Sequence, residues 1–312
     1  MTEQEQNPVY EPSWAERNGF APWAVAILWL VIVFLLFQIL SIFFLLLFFV
    51  VREGTLEIGS LLQQMNENIN LLFVVNSVGQ ILIIGLATFL IVNLHTFAGR
   101  RREYLRLFWK PKTAGYIGGG LLLILAVQPL VIWIGYLNSL LPVPDSITAI
   151  QESQYEMIRD FLTRDGVLMF ALFAVAVVPG VCEEVLFRGY VMRAFEKSWG
   201  ILTAIVVSGF VFGLFHLQIT NLLPLATLGM VLGIMTWLSG SIWPAVAAHF
   251  LNNAMAVLAA SWYPELFFRE MTPDLLPSLF LVIPATLLAL YIVYVMMQRS
   301  DYFTPNNDAE RI

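Results

Sequence analysis

Apolar residues along this chain are gathered into long blocks separated by short polar connections. Eight stretches contain no Asp, Glu, Lys or Arg: residues 23–51, 71–94, 116–141, 166–182, 199–217, 222–240, 241–262 and 278–298. Each approaches or exceeds the roughly 17–25 residues that a helix needs to cross a bilayer. Because hydrocarbon leaves every backbone polar group to be satisfied within the protein, the blocks read as helices. The pattern predicts an all-α polytopic membrane protein of about eight transmembrane helices, the fourth being the least defined in extent. Composition agrees, with 59% hydrophobic and 12% charged residues, about half the charged share of a soluble domain.

The blocks divide the chain into a tail at 1–22, spans one to three with their loops at 23–165, a polar-bearing core at 166–262, a last loop and span at 263–298, and a second tail at 299–312. Both tails read as short and mobile. The first apolar block is too long for a signal-peptide core and lacks a small-residue cleavage site, so the mature chain is expected to start near residue 1. A single cysteine, Cys182, allows no internal disulfide and no multi-cysteine metal site.

Charge placement adds orientation. Arg100, Arg101, Arg102, Arg106, Lys110 and Lys112 crowd the loop between spans two and three, which puts that loop in the cytoplasm. With alternating spans, Arg17, Arg188, Arg193, Lys197, Arg299 and Arg311 fall on the same side, so twelve of the sixteen basic residues share it and four do not. Both termini are then cytoplasmic and the host bilayer is the cell's inner (plasma) membrane. The basic loop has no required role beyond topology, and nothing in the chain suggests a nucleic-acid partner.

Ionisable groups inside lipid are costly and mark function. They are few: Glu183, Glu184 and Arg188 at the end of span four, His216 in span five, and His249 in span seven with Asn253 one turn on. His95 closes span two and reads as an interfacial histidine. Glu184 and Arg188, Phe212 and His216, and His249 and Asn253 are each four apart and share a helix face. Glu183 points about 100° away from Glu184, so the two carboxylates have different neighbours. Counting from turns at 199–200 and 239–241 sets Glu184 and His216 at one level, facing each other, with His249 and Asn253 close by. All converge on one cavity in the cytoplasmic half. Pro179 and Gly180 bend span four beside it. The pairs 209/213 and 229/233 are glycines that let helices approach closely.

A carboxylate beside neutral imidazoles with an amide donor suits acyl hydrolysis by water: a base, a proton relay and an oxyanion partner. Zinc is the alternative cofactor, held by Glu183, His216 and His249, although the H-E-x-x-H pattern is absent.

Glu183-Glu184-x-x-x-Arg188, Phe212-x-x-x-His216 and His249-x-x-x-Asn253, in that order and each in its own span, resemble the CPBP family, which holds the type II CAAX prenyl endopeptidases and bacteriocin-processing membrane proteins. The likeness covers residues 166–262. It implies an intramembrane endopeptidase with a conical catalytic cavity formed by spans four to seven, cutting near the cytoplasmic face. Glu183 would be the base, His216 its assistant, Glu184 and Arg188 the ordering pair, and His249 and Asn253 the oxyanion pocket. The family has been described both as metal-dependent and as glutamate-dependent, and these residues favour the second, with no cofactor. The substrate would be a membrane-associated peptide or protein, prenylated or leader-bearing. A non-catalytic immunity or regulatory protein would use the same cavity.

Overall fold

The computed structural model describes residues 12–53, 68–269 and 272–301, and among them it contains helices and no strand. All eight apolar blocks are helical. Six helices are long and apolar enough to cross a bilayer: Pro22–Arg52, Ile69–Leu94, Thr113–Ser139, Leu168–Trp199, Ile219–Ser239 and Leu279–Arg299. They are spans one to four, six and eight. Span five, Ile201–Phe215, is apolar but has only 15 residues, or about 22 Å of helix. Span seven, Trp243–Trp262, is long enough but diluted by His249, Asn252 and Asn253. The two helices that fall short are the two that bring histidines to the interior.

Spans five and six pack through their glycines. A Cβ on Gly209 would stand 2.6 Å from Met230 Cγ and 2.9 Å from the Ala226 carbonyl, and one on Gly229 would stand 2.9 Å from Gly209 Cα. The turns between spans four and five and between six and seven sit at Gly200 (φ 79°) and Gly240 (φ 61°), positive values that glycine adopts without strain.

One end of the bundle is capped by the basic loop. Tyr104 and Leu105 are buried. Arg106 Nη2 pairs with Glu196 Oε2 at 2.7 Å, and its carbonyl accepts from the Ile242 amide. Trp243 Nε1 and Ser241 Oγ donate to the carbonyls of Leu107 and Phe108. Lys112 pairs with Asp301. The loop after span two, the turns at Gly200 and Gly240 and the end of span eight therefore meet at one end, as alternation requires. The loop is also a packed part of the fold, which its charge alone did not indicate.

Three expectations are corrected. The parts of the tails that the structure describes are held in place: Ser13 and Glu16 form a capping box on the helix Trp14–Arg17, Ala15 is fully buried, and Ser300 donates to the Leu238 carbonyl. The remaining tail residues, 1–11 and 302–312, lie outside the described residues. The connection between spans three and four, taken as loop, contains the amphipathic helix Asp145–Leu162. Its Gln151 accepts from Thr220 and donates to the Leu217 carbonyl, so it covers the turn between spans five and six at the end away from the basic loop. Finally, His95 is buried against Tyr190, with Nε2 3.0 Å from the hydroxyl, and is an internal packing group, not an interfacial one.

Candidate active site

Span four is not a uniform helix. Two π-helical segments, Leu172–Val177 and Val185–Val191, flank the short α-helix Val178–Glu184. Wide turns of this kind interrupt helices at functional sites. Here they bracket Pro179 and the acidic pair.

The two carboxylates part as their rotation about the helix demands. Glu184 is fully buried. Its Oε1 accepts from Arg188 Nη1 at 3.0 Å and lies 2.9 Å from His249 Nδ1. Arg188, also buried, donates onward to the Gly229 carbonyl and lies over the Phe212 ring at 4.5 Å. Glu183 faces the other way. Its Oε2 lies 3.8 Å from His216 Nε2 and has no hydrogen-bond partner. His216 is fixed from behind: Nδ1 is 2.8 Å from the Phe212 carbonyl. With Nδ1–H donating there, the Nε2 lone pair is turned toward Glu183. The ring of Phe212 sits 4.7 Å from that of His216 and 5.7 Å from that of His249, so one aromatic side chain wedges both imidazoles.

The pairing differs from the expected one. Counting from the turn places Glu184 opposite His216, yet His216 meets Glu183 and Glu184 meets His249. Residue counting fixes height along an axis but not direction around it, and His216 caps span five one residue beyond its last helical position.

Asn253 joins the site by another route. Its Nδ2 donates to the Val175 carbonyl in the first π segment at 2.9 Å, while its Oδ1 accepts from Asn252, whose own Oδ1 accepts from Gln128 of span three. Glu183, His216 and Asn253 share the wall of a cavity of about 310 Å³ with Asn76, Gln80 and Pro179. A second space of about 40 Å³ shares His216 and Asn253 with it and is lined as well by His249 and Asn252.

The cavity is therefore not enclosed by spans four to seven alone. Span two and Met157 of the amphipathic helix line it, because span five ends at Phe215 and leaves its flank open. Its lining runs out to Leu72 and Phe73, at the end of span two farthest from the basic loop. Asn76, Gln80, Gln128 and Asn252 went unrecognised in the sequence because only ionisable groups, with Asn253, were singled out. The available signal was polar amides inside apolar blocks, with Asn76 and Gln80 at helical spacing.

Residues 165–255 match the protein-family model described as type II CAAX prenyl endopeptidase Rce1-like. This segment is similar to that family. The likeness to the CPBP family read from three motifs holds over it, and it indicates an intramembrane protease. No curated protein and no solved structure matches the chain. The Rce1-like segment contains Glu183, Glu184, Arg188, Phe212, His216, His249 and Asn253, and excludes span two and its amides.

Among the described residues no three His, Cys, Asp or Glu side chains stand together as metal ligands. Of the expected zinc set, Glu183 and His216 stand 3.8 Å apart, while His249 turns Nδ1 to Glu184 and keeps Nε2 for another partner, the way a carboxylate orients a metal-binding histidine. Cys182 is buried, with Sγ 3.2 Å from where a Cβ on Gly85 would stand, and serves packing between spans two and four.

Proposed function

We propose that the protein is an intramembrane endopeptidase that hydrolyses a peptide bond with water activated by Glu183 and His216. One observation carries this reading: a buried carboxylate oxygen without a hydrogen-bond partner, 3.8 Å from an oriented imidazole nitrogen, at the wall of a cavity large enough for an extended peptide. That separation is too long for a direct hydrogen bond and suits two groups that both contact one water. Glu183 takes the water's proton as its oxygen adds to the scissile carbonyl carbon. The carbonyl oxygen becomes the oxyanion, held by His249 and Asn253. Collapse breaks the C–N bond, and the proton passes from Glu183, through His216, to the leaving amine. Glu184, itself paired with Arg188, acts through His249, which it holds by Nδ1. No metal takes part in this scheme.

A groove of about 630 Å³ between spans three, six and seven shares Leu225, Leu228 and Asn252 with the second space lined by His216. Its apolar wall suits a lipid-modified or membrane-anchored substrate, in keeping with the prenyl endopeptidase description of the matching family.

Two expectations from the sequence now separate. The basic loop and the outer lining of the cavity at Leu72 and Phe73 lie toward opposite ends of the bundle, so a cytoplasmic basic loop and entry from the cytoplasm do not hold together. The charge bias rests on sixteen residues spread over both tails and all the connections except those between spans five and six and between spans six and seven, and is the firmer guide. The basic end is then cytoplasmic and the cavity opens toward the other face. A membrane-impermeant maleimide applied to intact cells decides this: cysteine placed at Leu72 becomes labelled while cysteine at Phe108 does not, and the reverse pattern overturns the orientation.

Cleavage of an internally quenched membrane peptide by purified protein tests the activity. The wild type cuts it, Glu183→Ala and His216→Ala do not, and phenanthroline leaves the rate unchanged. Equal cleavage by all three proteins would sink the assignment, and inhibition by the chelator would replace the metal-free scheme.

A further inference from the structure

Gln80 is 8% exposed and opens a π-helical segment, Gln80–Ala87, of span two. Its Nε2 donates to Asn76 Oδ1 at 2.9 Å, while its Oε1 is buried without a hydrogen-bond partner. Both residues line the same cavity as Glu183, His216 and Asn253. A buried acceptor left unmatched costs about 1–3 kcal/mol, which a fold tolerates where a ligand completes the bond. Asn76 has committed its oxygen to Gln80, and the donors that the pair has left are its own two amide N–H groups and the second N–H of Gln80. An acceptor and a donor four residues apart on one face match the N–H and C=O of a single residue of an extended chain, which point to the same side. An extended chain in a pocket presents such pairs to one side at every second residue, independent of its side chains.

We propose that Asn76 and Gln80 form a substrate-binding amide pair: Gln80 Oε1 accepts a backbone N–H of the substrate and Asn76 Nδ2 donates to a backbone carbonyl, beside the bond that the water activated by Glu183 attacks. The inference rests on the proteolytic reading of the cavity and assigns a binding role to span two, outside the Rce1-like segment. The pair holds a backbone and so tolerates varied sequences, while the side chains are read elsewhere.

Binding is measured on the Glu183→Ala protein, where turnover plays no part, with a fluorescent Ala/Leu peptide and a series in which each amide N–H in turn is replaced by an ester oxygen. Adding Gln80→Met, near in shape and without an acceptor, weakens peptide binding about tenfold, the effect of one hydrogen bond. Adding Gln80→Glu, which keeps an acceptor oxygen, weakens it less. One ester position loses about tenfold on the Glu183→Ala protein and loses nothing further when Gln80→Met is added. Unchanged binding with Gln80→Met, or an ester series without such a position, overturns the pair; if Gln80→Met does not fold, the ester series on the Glu183→Ala protein decides. Failure of the proteolytic reading looks different: the peptide binds and responds to Gln80, yet wild type and Glu183→Ala cleave it equally or not at all.

Discussion

Glu183 and Glu184 are adjacent in sequence and equally deep in the bundle, and their surroundings are opposite. Glu184 is enclosed by Arg188 and His249, and its arginine is tied to the Gly229 carbonyl and the Phe212 ring. Glu183 has one histidine beyond hydrogen-bond distance and a cavity. A buried charge is tolerated when paired and hydrogen-bonded, so the first neighbourhood is what keeps a charged helix in lipid. The second keeps a carboxylate underused, which is what a base requires. One helical step of about 100° is enough to assign the two roles.

The comparison fails if the two residues respond alike to substitution. Glu183→Ala is expected to lower cleavage by about a thousandfold, in the range for removing a positioned base, while its thermal unfolding midpoint in detergent stays at the wild-type value. Glu184→Ala leaves Arg188 buried and unpaired, and breaking a buried pair costs about 3–5 kcal/mol. Its signature is a depressed midpoint and poor recovery from the membrane before any loss of activity is considered. A stable, folded Glu184→Ala protein would mean that the buried pair is not what keeps this helix in place.

Much of this was legible in the chain. The apolar blocks gave all eight helices because lipid enforces continuous helix wherever charge is absent, and the turns at 200 and 240 were visible as small-residue breaks between them. The polar set was legible because ionisable groups are rare in such a background. What was not legible is rotational. Spacing places His216 at the level of both carboxylates, but only packing decides that it turns to Glu183. The π segments of span four shift that rotation further, and a proline gives only a hint of them. The amphipathic helix Asp145–Leu162 was hidden by its charge, since a search for unbroken apolar runs passes over a helix with one wet face. The amides of Asn76 and Gln80 were hidden by carrying no charge at all.

A second contrast separates the closed seam of spans five and six from the open flank that spans two and four share with the cavity. At the seam a Cβ on Gly209 meets backbone atoms of span six, at 2.9 Å from both the Ala226 carbonyl and the Met230 amide nitrogen, and backbone does not yield as a side chain does. Gly209→Val is expected to destabilise the protein by about 3 kcal/mol, the upper part of the range for overpacking, and to displace Phe212 and with it both imidazoles. Thermal unfolding checks the first effect. Gly115→Ala, at a position with no neighbour within 4 Å, should change the midpoint little. If both substitutions act equally, the seam is not the rigid wall of the site.

The smallest effect concerns the third histidine, which sharpens the contrast by having no part in the chemistry. His95 lies just past the end of span two, and burial holds its imidazole down at about 4, with Lys197 nearby adding to the depression. The folded protein therefore holds it neutral against Tyr190, whereas the unfolded chain takes up a proton near the ordinary value of about 6.5. A group whose folded value is depressed contributes its full stability above the unfolded value and loses it as pH falls toward the folded one. Stability should be flat above about pH 7 and fall by about 2 kcal/mol on going to pH 5, from the difference between those two values. His95→Phe removes that part of the slope between pH 7 and pH 5 while leaving cleavage at pH 7.5 near wild type, read from unfolding midpoints and initial rates on the same preparations. If His95→Phe instead abolished cleavage without moving the slope, the capped end of the bundle would belong to the active site, and the division between a closed structural end and an open catalytic one would fall.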